Sequence, residues 1–196
     1  MLNSDPVCDK QLRISLEEIT KLVRSKQVEA INNLHNIYPH TIDIIEETVI
    51  GRPDTQKYNY TCFMYALNIE FYNQSNPIKE ISREHLEIYI SSDFLLFCIN
   101  KGVLREVSFD EIVEGDIILY FTNEIPVHAG KILNSKRVIS KWGQGGHLWG
   151  HAIWEIPAMY GTQASFYKNG VNEQITKCFL EYAEIKMKNN NESIAK

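Results

Sequence analysis

No stretch of this 196-residue chain is apolar for long enough to cross a bilayer as a helix, so a membrane-spanning role is not expected. A basic patch is missing too. Twenty Lys and Arg stand against 25 Asp and Glu, a formal net charge of -5, and nucleic acid is not an expected partner. The first residues, Met1-Leu2-Asn3-Ser4-Asp5-Pro6, lack the basic and then apolar regions of a signal peptide. Neither an internal repeat nor a linker divides the chain, which predicts one globular domain over residues 1–196, with 1–12 and 189–196 loosely ordered. Cysteine is scarce: four residues, at 8, 62, 98 and 178, with no C-x-x-C pair. That spacing suits neither a structural zinc site nor a disulfide framework. Without an export signal, it points to reduced thiols in a cytoplasm. Compact metal-ligand spacing occurs only at His147 and His151, around Gly150, so neither a metal nor a cofactor is expected.

What is present has the order of an α+β protein, helices first and strands after. Ile19, Leu22, Val23, Val28, Ile31 and Leu34 mark one helix from Ser15 to Leu34, with Ser15 and Glu18 as a capping box. Gly51-Arg52-Pro53-Asp54 is a turn. A second long helix is predicted over 82–100, stopped by Lys101-Gly102. Val103–Val107 is short and extended, Ser108–Val113 is one turn of helix or a loop, and Gly115-Asp116 is a turn. Ile117-Ile118-Leu119-Tyr120-Phe121 is a buried strand. Strands at Val127–Leu133 and Lys136–Trp142 form a hairpin through Asn134-Ser135. Residues 143–161 are loop-like, and Phe166–Lys188 ends in a helix.

Two residues carry the chemistry. In Tyr58-Asn59-Tyr60-Thr61-Cys62-Phe63-Met64-Tyr65-Ala66-Leu67, Asn59 or Thr61 caps a helix, and Phe63, Ala66, Leu67 and Phe71 recur at helical spacing. Cys62 then lies in the first turn, where the helix dipole favours a thiolate near neutral pH. The plain alternative is a small buried hydrophobe. Core packing is also the reading for Cys98 and Cys178, while Cys8 has no visible partner. His128 opens a strand, and imidazole is matched to general-base work on a thiol. His35, His40 and His85 read as solvated.

The segments Asn59-Tyr60-Thr61-Cys62-Phe63, Glu114-Gly115-Asp116-Ile117-Ile118-Leu119-Tyr120-Phe121 and Val127-His128-Ala129-Gly130-Lys131-Ile132-Leu133 together resemble NlpC-type papain-like cysteine peptidases. Ser140-Lys141-Trp142-Gly143, with His151-Ala152-Ile153-Trp154-Glu155-Ile156-Pro157 and Tyr160-Gly161, looks like an uncharacterised bacterial branch of that superfamily. The resemblance implies a papain-like fold, with N-terminal helices, the nucleophile helix packed on a small antiparallel sheet, and a C-terminal helix. It also implies Cys62 as nucleophile, His128 as base and, by spacing, Ser140 as the polar residue orienting the imidazole. Serine departs from the His, Asn or Gln more usual there.

Strand alternation leaves that third position open. A three-residue turn at 133–135 sets Ser140 opposite His128, a two-residue turn at 134–135 sets Lys141 there, and Gln144, His147 and His151 are near in sequence. The backbone N–H of Cys62 is the natural first oxyanion donor. Gln56, Tyr58 and Tyr60 are candidates for a second, and Tyr58, Tyr60 and Trp142 for contact with substrate. Trp142, Trp149 and Trp154 either wall a groove or fill the core. The expected activity is cysteine hydrolysis of an amide or ester, of the peptidase or amidase type, through a Cys62 thioester. The substrate is a peptide or protein amide, met in the cytoplasm or by an effector or toxin delivered without a classical signal. The alternatives are an inactive binding module and an acyltransferase on the same fold.

Overall fold

The computed structural model describes residues 2–3, 10–47, 60–69, 76–144 and 146–194. In chain order, the first elements are β1 (Leu2–Asn3), α1 (Lys10–Lys21), α2 (Arg24–Leu34), β2 (Asp43–Glu46) and α3 (Cys62–Ala66). Next come α4 (Pro77–Glu84), α5 (Ser92–Asn100), β3 (Glu106–Val107), β4 (Ile117–Thr122) and β5 (Ile125–Asn134). The chain closes with β6 (Arg137–Lys141), β7 (Leu148–Ala152), β8 (Gln163–Tyr167) and α6 (Asn172–Ile194). The fold is α+β. All strands join one antiparallel sheet in the order β1-β8-β4-β5-β6-β7-β2, with β3 also paired to β8.

Both faces of the sheet are covered, which explains why β4 is an unbroken apolar run rather than an alternating one. Ile117, Leu119 and Phe121 pack with Phe63, Phe94, Leu95, Phe179 and Tyr182 of α3, α5 and α6. Ile118 and Tyr120 point the other way, to Leu12, Leu16 and Ile31 of α1 and α2, together with Trp142 and Trp149. The Gly115-Asp116 turn is structural. Gly115 takes φ +88°, and Asp116 accepts from the Val113 N–H at 2.9 Å and the Lys168 ammonium at 2.7 Å. This fastens the start of β4 to β5, where Gly115 N–H donates to Ile132 O.

Several sequence expectations are corrected. The helix over Ser15–Leu34 is two, broken at Leu22-Val23, and Ser15 and Glu18 lie inside α1 rather than capping it. The helix over 82–100 is also two: Asn76 and Pro77 start α4, and Ser91 caps α5 through the Phe94 N–H. The loop expected over 143–161 contains β7, and the sheet gains β1, β2 and β8, making it larger than expected. Helix α6 continues past Lys188 to Ile194. Cys8, Phe71, the turn at 51–54 and the oxyanion candidates Gln56 and Tyr58 lie outside the described residues, as does the cap candidate Asn59.

Candidate active site

Thr61 is the cap of α3: its backbone is extended and its hydroxyl accepts the Met64 N–H at 3.3 Å. The helix is shorter than the apolar spacing predicts. Asn68 takes φ +56°, and the Asn68 and Ile69 N–H groups fold back onto Tyr65 O and Met64 O, a closure that ends the helix. Lysines from the sheet brace this short element. Lys131 of β5 lies 4.7 Å from the Tyr65 ring centroid, and Lys141 of β6 lies 4.0 Å from that of Tyr60.

Helix α3 packs on β5 and β6. Pairing between those strands ends at Gly130 opposite Ser140, and the Cys62 thiol meets the backbone N–H of Ala129 just beyond. A groove of about 500 Å³ opens there, lined by Cys62, His128, Gly143 and Tyr160 and, from α5 and α6, by Asp93 and Lys186.

The hairpin register differs from both alternatives considered. The turn falls at Ser135-Lys136, with an irregularity between Ile132 and Asn134, so Ser140 faces Gly130 and stands diagonally from His128 on one face of the sheet. Their side chains still meet, with His128 Nε2 3.0 Å from Ser140 Oγ. The glycine permits this. A Cβ on Gly130 would lie 2.9 Å from Ile139 O and 3.0 Å from the Ser140 Cβ.

Ser140 Oγ has three partners: His128 Nε2 at 3.0 Å, Trp142 Nε1 at 3.0 Å and His151 Nε2 at 2.7 Å. A hydroxyl has one hydrogen and two acceptor lone pairs, so the roles can be solved. His151 Nδ1 lies 2.8 Å from Ala152 O, which can only accept, so in the neutral ring Nδ1 carries the hydrogen and Nε2 is an acceptor. Ser140 therefore donates to His151 and accepts from the Trp142 indole N–H and from His128 Nε2–H. The neutral His128 ring then has its lone pair on Nδ1. That atom is buried and has no partner among the described residues.

Burial sets the charge states. It lowers the His128 pKa well below 6.5, with His151 adding a smaller like-charge effect. It lowers His151 to about 4, against the opposing Ala152 carbonyl and Glu155. Cys62 keeps some exposed surface, yet burial at its sulfur pushes the thiol up to about 11, and the N–H groups of Ala129, Phe63 and Cys62 itself oppose this only in part. The expectation of a thiolate favoured near neutral pH is thus overturned. A five-residue helix and three N–H groups do not offset desolvation, and the resting pair is neutral thiol and neutral imidazole.

The remaining candidates are placed elsewhere. Lys141 points towards α3 and donates to Gly146 O at 2.7 Å, with its pKa lowered to about 8 by burial. His147 Nε2 donates to Arg24 O at 2.9 Å, away from Ser140. Trp142, expected at the substrate, is buried against Trp149 and serves Ser140 instead, and its neighbours Gly143 and Gln144 line the groove. Tyr60 stacks with Tyr65 and packs under Lys141. Tyr160, which sequence reasoning did not single out as a site residue, lies face to face with His128 at 3.9 Å between ring centroids. No local pattern marks Tyr160. His151 is brought beside Ser140 by the pairing of β6 with β7, a strand where the sequence predicts a loop.

Residues 49–168, more than half of the chain, match a family described as Domain of unknown function (DUF7689). The chain belongs to the DUF7689 family. No curated protein and no solved structure matches it. The DUF7689 span contains Cys62, His128, Ser140, His151 and Tyr160, whereas Tyr182 and Lys186, which line the groove from α6, lie beyond it. Among the described residues of this DUF7689 protein, no helix is long and apolar enough to cross a membrane.

Proposed function

We propose that this protein is a cysteine hydrolase that opens an amide or ester bond through a Cys62 thioester. The observation that carries the reading is the buried Nδ1 of His128, without a partner among the described residues, in the groove that holds Cys62 and in a ring whose other nitrogen is committed to Ser140. A buried polar atom without a partner is costly, so its presence in the groove that also holds a thiol supports a functional role. The likeness to NlpC-type papain-like cysteine peptidases leads to the same pair.

In this scheme His128 Nδ1 takes the thiol proton as Sγ bonds to the carbonyl carbon. The carbonyl π pair moves to oxygen, where the Cys62 backbone N–H is one donor. The imidazolium Nε2–H remains held by Ser140. Collapse breaks the C–N or C–O bond, and Nδ1–H delivers its proton to the leaving atom. Water, with His128 again as base, then releases the acid and restores the thiol. The substrate in this reading is a peptide or protein amide, met in the cytoplasm or after delivery as an effector.

Alkylation by iodoacetamide, followed by mass spectrometry from pH 5 to 9, tests the pair in wild type and His128→Asn. With a neutral thiol and a base of low pKa, the wild-type rate should vary little between pH 6 and 9. The variant should react only through free thiolate, climbing tenfold per pH unit and lying about 10²-fold lower at pH 7. Identical profiles would sink the reading.

A further inference from the structure

We infer that Tyr160 is a catalytic residue of this site, its ring holding the His128 imidazole in plane and its hydroxyl donating to the oxyanion formed on the carbonyl that Cys62 attacks. The inference rests on the hydrolase reading and adds a donor that neither the Cys-His pair nor the Ser140 hub contains.

The rings of Tyr160 and His128 are stacked at 3.9 Å with only 5° between their planes. Rotation of the imidazole away from the Ser140 axis would break that stack, so Tyr160 and Ser140 fix the ring from its face and its edge. Tyr160 is 8% exposed, and that remnant lines the groove together with Cys62 and Gly143. Among the described residues its O–H has no acceptor, which leaves the hydrogen for a group in the groove. Burial raises the phenol pKa, a Cys62 thiolate would raise it further, and the Gly143 N–H opposes them. The hydroxyl is therefore a protonated donor at every pH at which the site works.

The segment carrying Tyr160 is held from two sides. Gly161 takes φ +102°, and a Cβ there would lie 2.6 Å from Phe121 O, so the chain is seated directly on β4. Arg13, buried on α1, donates to Ile156 O at 3.2 Å, to Pro157 O at 3.4 Å and to Gly161 O. A guanidinium spanning three carbonyls fixes the 3₁₀ turn Ala158–Tyr160, giving the hydroxyl the fixed position that oxyanion stabilisation requires.

Two electrophiles separate this role from packing. Iodoacetamide is displaced without forming an oxyanion, whereas 4-nitrophenyl acetate passes through one. In the second reaction His128 Nδ1 takes the thiol proton as the Sγ–C bond forms and the carbonyl π pair moves onto oxygen. Return of that pair expels 4-nitrophenolate, leaving S-acetyl Cys62, and the proton passes from His128 to solvent. Tyr160→Phe keeps the stacked ring and removes the donor. Its alkylation profile with iodoacetamide should match wild type within about twofold, while acetylation, followed by nitrophenolate release and intact mass, should fall about 10²-fold. Unchanged acetylation would overturn the inference, and so would an equal fall in both reactions, which would mean that the ring or the fold had been disturbed. A wild-type protein that is alkylated with the His128 dependence given above but is never acetylated would also overturn it. Loss of that His128 dependence in wild type itself would instead mark failure of the hydrolase reading.

Discussion

Ser140→Ala is the sharpest test of the hydrogen-bonded hub. The substitution removes one hydroxyl and strands three groups: the Nε2–H of His128, the indole N–H of Trp142 and the Nε2 lone pair of His151. His128 and His151 are 0% exposed and Trp142 only 3%, so bulk water does not reach them. An unsatisfied buried polar group costs about 1–3 kcal/mol, and three of them with partial relaxation sum to about 3–6 kcal/mol. For a chain of this size each kcal/mol moves Tm by about 2–4 °C, so a drop of at least about 6 °C is expected. Ser165→Ala supplies the control, because Ser165 is also buried in β8 but its hydroxyl meets only the Tyr167 phenol rather than three groups. Its loss removes at most that one contact and should cost about 1 kcal/mol, well short of the Ser140→Ala effect. Urea unfolding followed by circular dichroism would compare the two. Equal losses for both variants would refute the hub, since the cost would then come from deleting a buried hydroxyl and not from what it holds.

Acid should weaken the fold through the same cluster. The folded pKa of His151, about 4, lies below the unfolded value of 6.5, so the unfolded state binds more protons between them. Stability should therefore fall as pH drops from about 6.5 towards 4, by up to about 3 kcal/mol from this residue. His151→Gln should reduce the pH dependence of the urea midpoint across that window, leaving the part due to buried His128, and an unaltered slope would contradict the assignment. Gly130→Ala should cost about 1–3 kcal/mol, because the new methyl meets Ile139 O and the Ser140 Cβ, and should slow Cys62 alkylation by shifting Ser140 away from His128. A variant with wild-type stability and reactivity would show that β5 and β6 can separate without moving the hub.

Local chemistry determined a good part of this protein. A cap at Asn59 or Thr61, the apolar run of β4, the glycine-aspartate turn before it and the existence of the β5–β6 hairpin, though not its turn or register, were legible, because each depends on residues within a few positions of one another. So was the helices-then-strands order, and with it the α+β class. Tertiary structure decided the rest. Helix ends at Leu22-Val23 and Asn68 came from closures that the apolar spacing does not record. The strand at Leu148–Ala152 was read as loop because sheet residues covered on both faces lose their polar alternation. Ser140 was named from spacing, but its meeting with His128 depends on a hairpin irregularity, and its meeting with His151 on the packing of a third strand. Protonation was the least legible of all. Sequence position put Cys62 at a helix start and argued for a thiolate, whereas the depth of burial sets its thiol at about 11 and keeps His128 neutral. Desolvation is a property of everything packed around a group, and no stretch of sequence contains it.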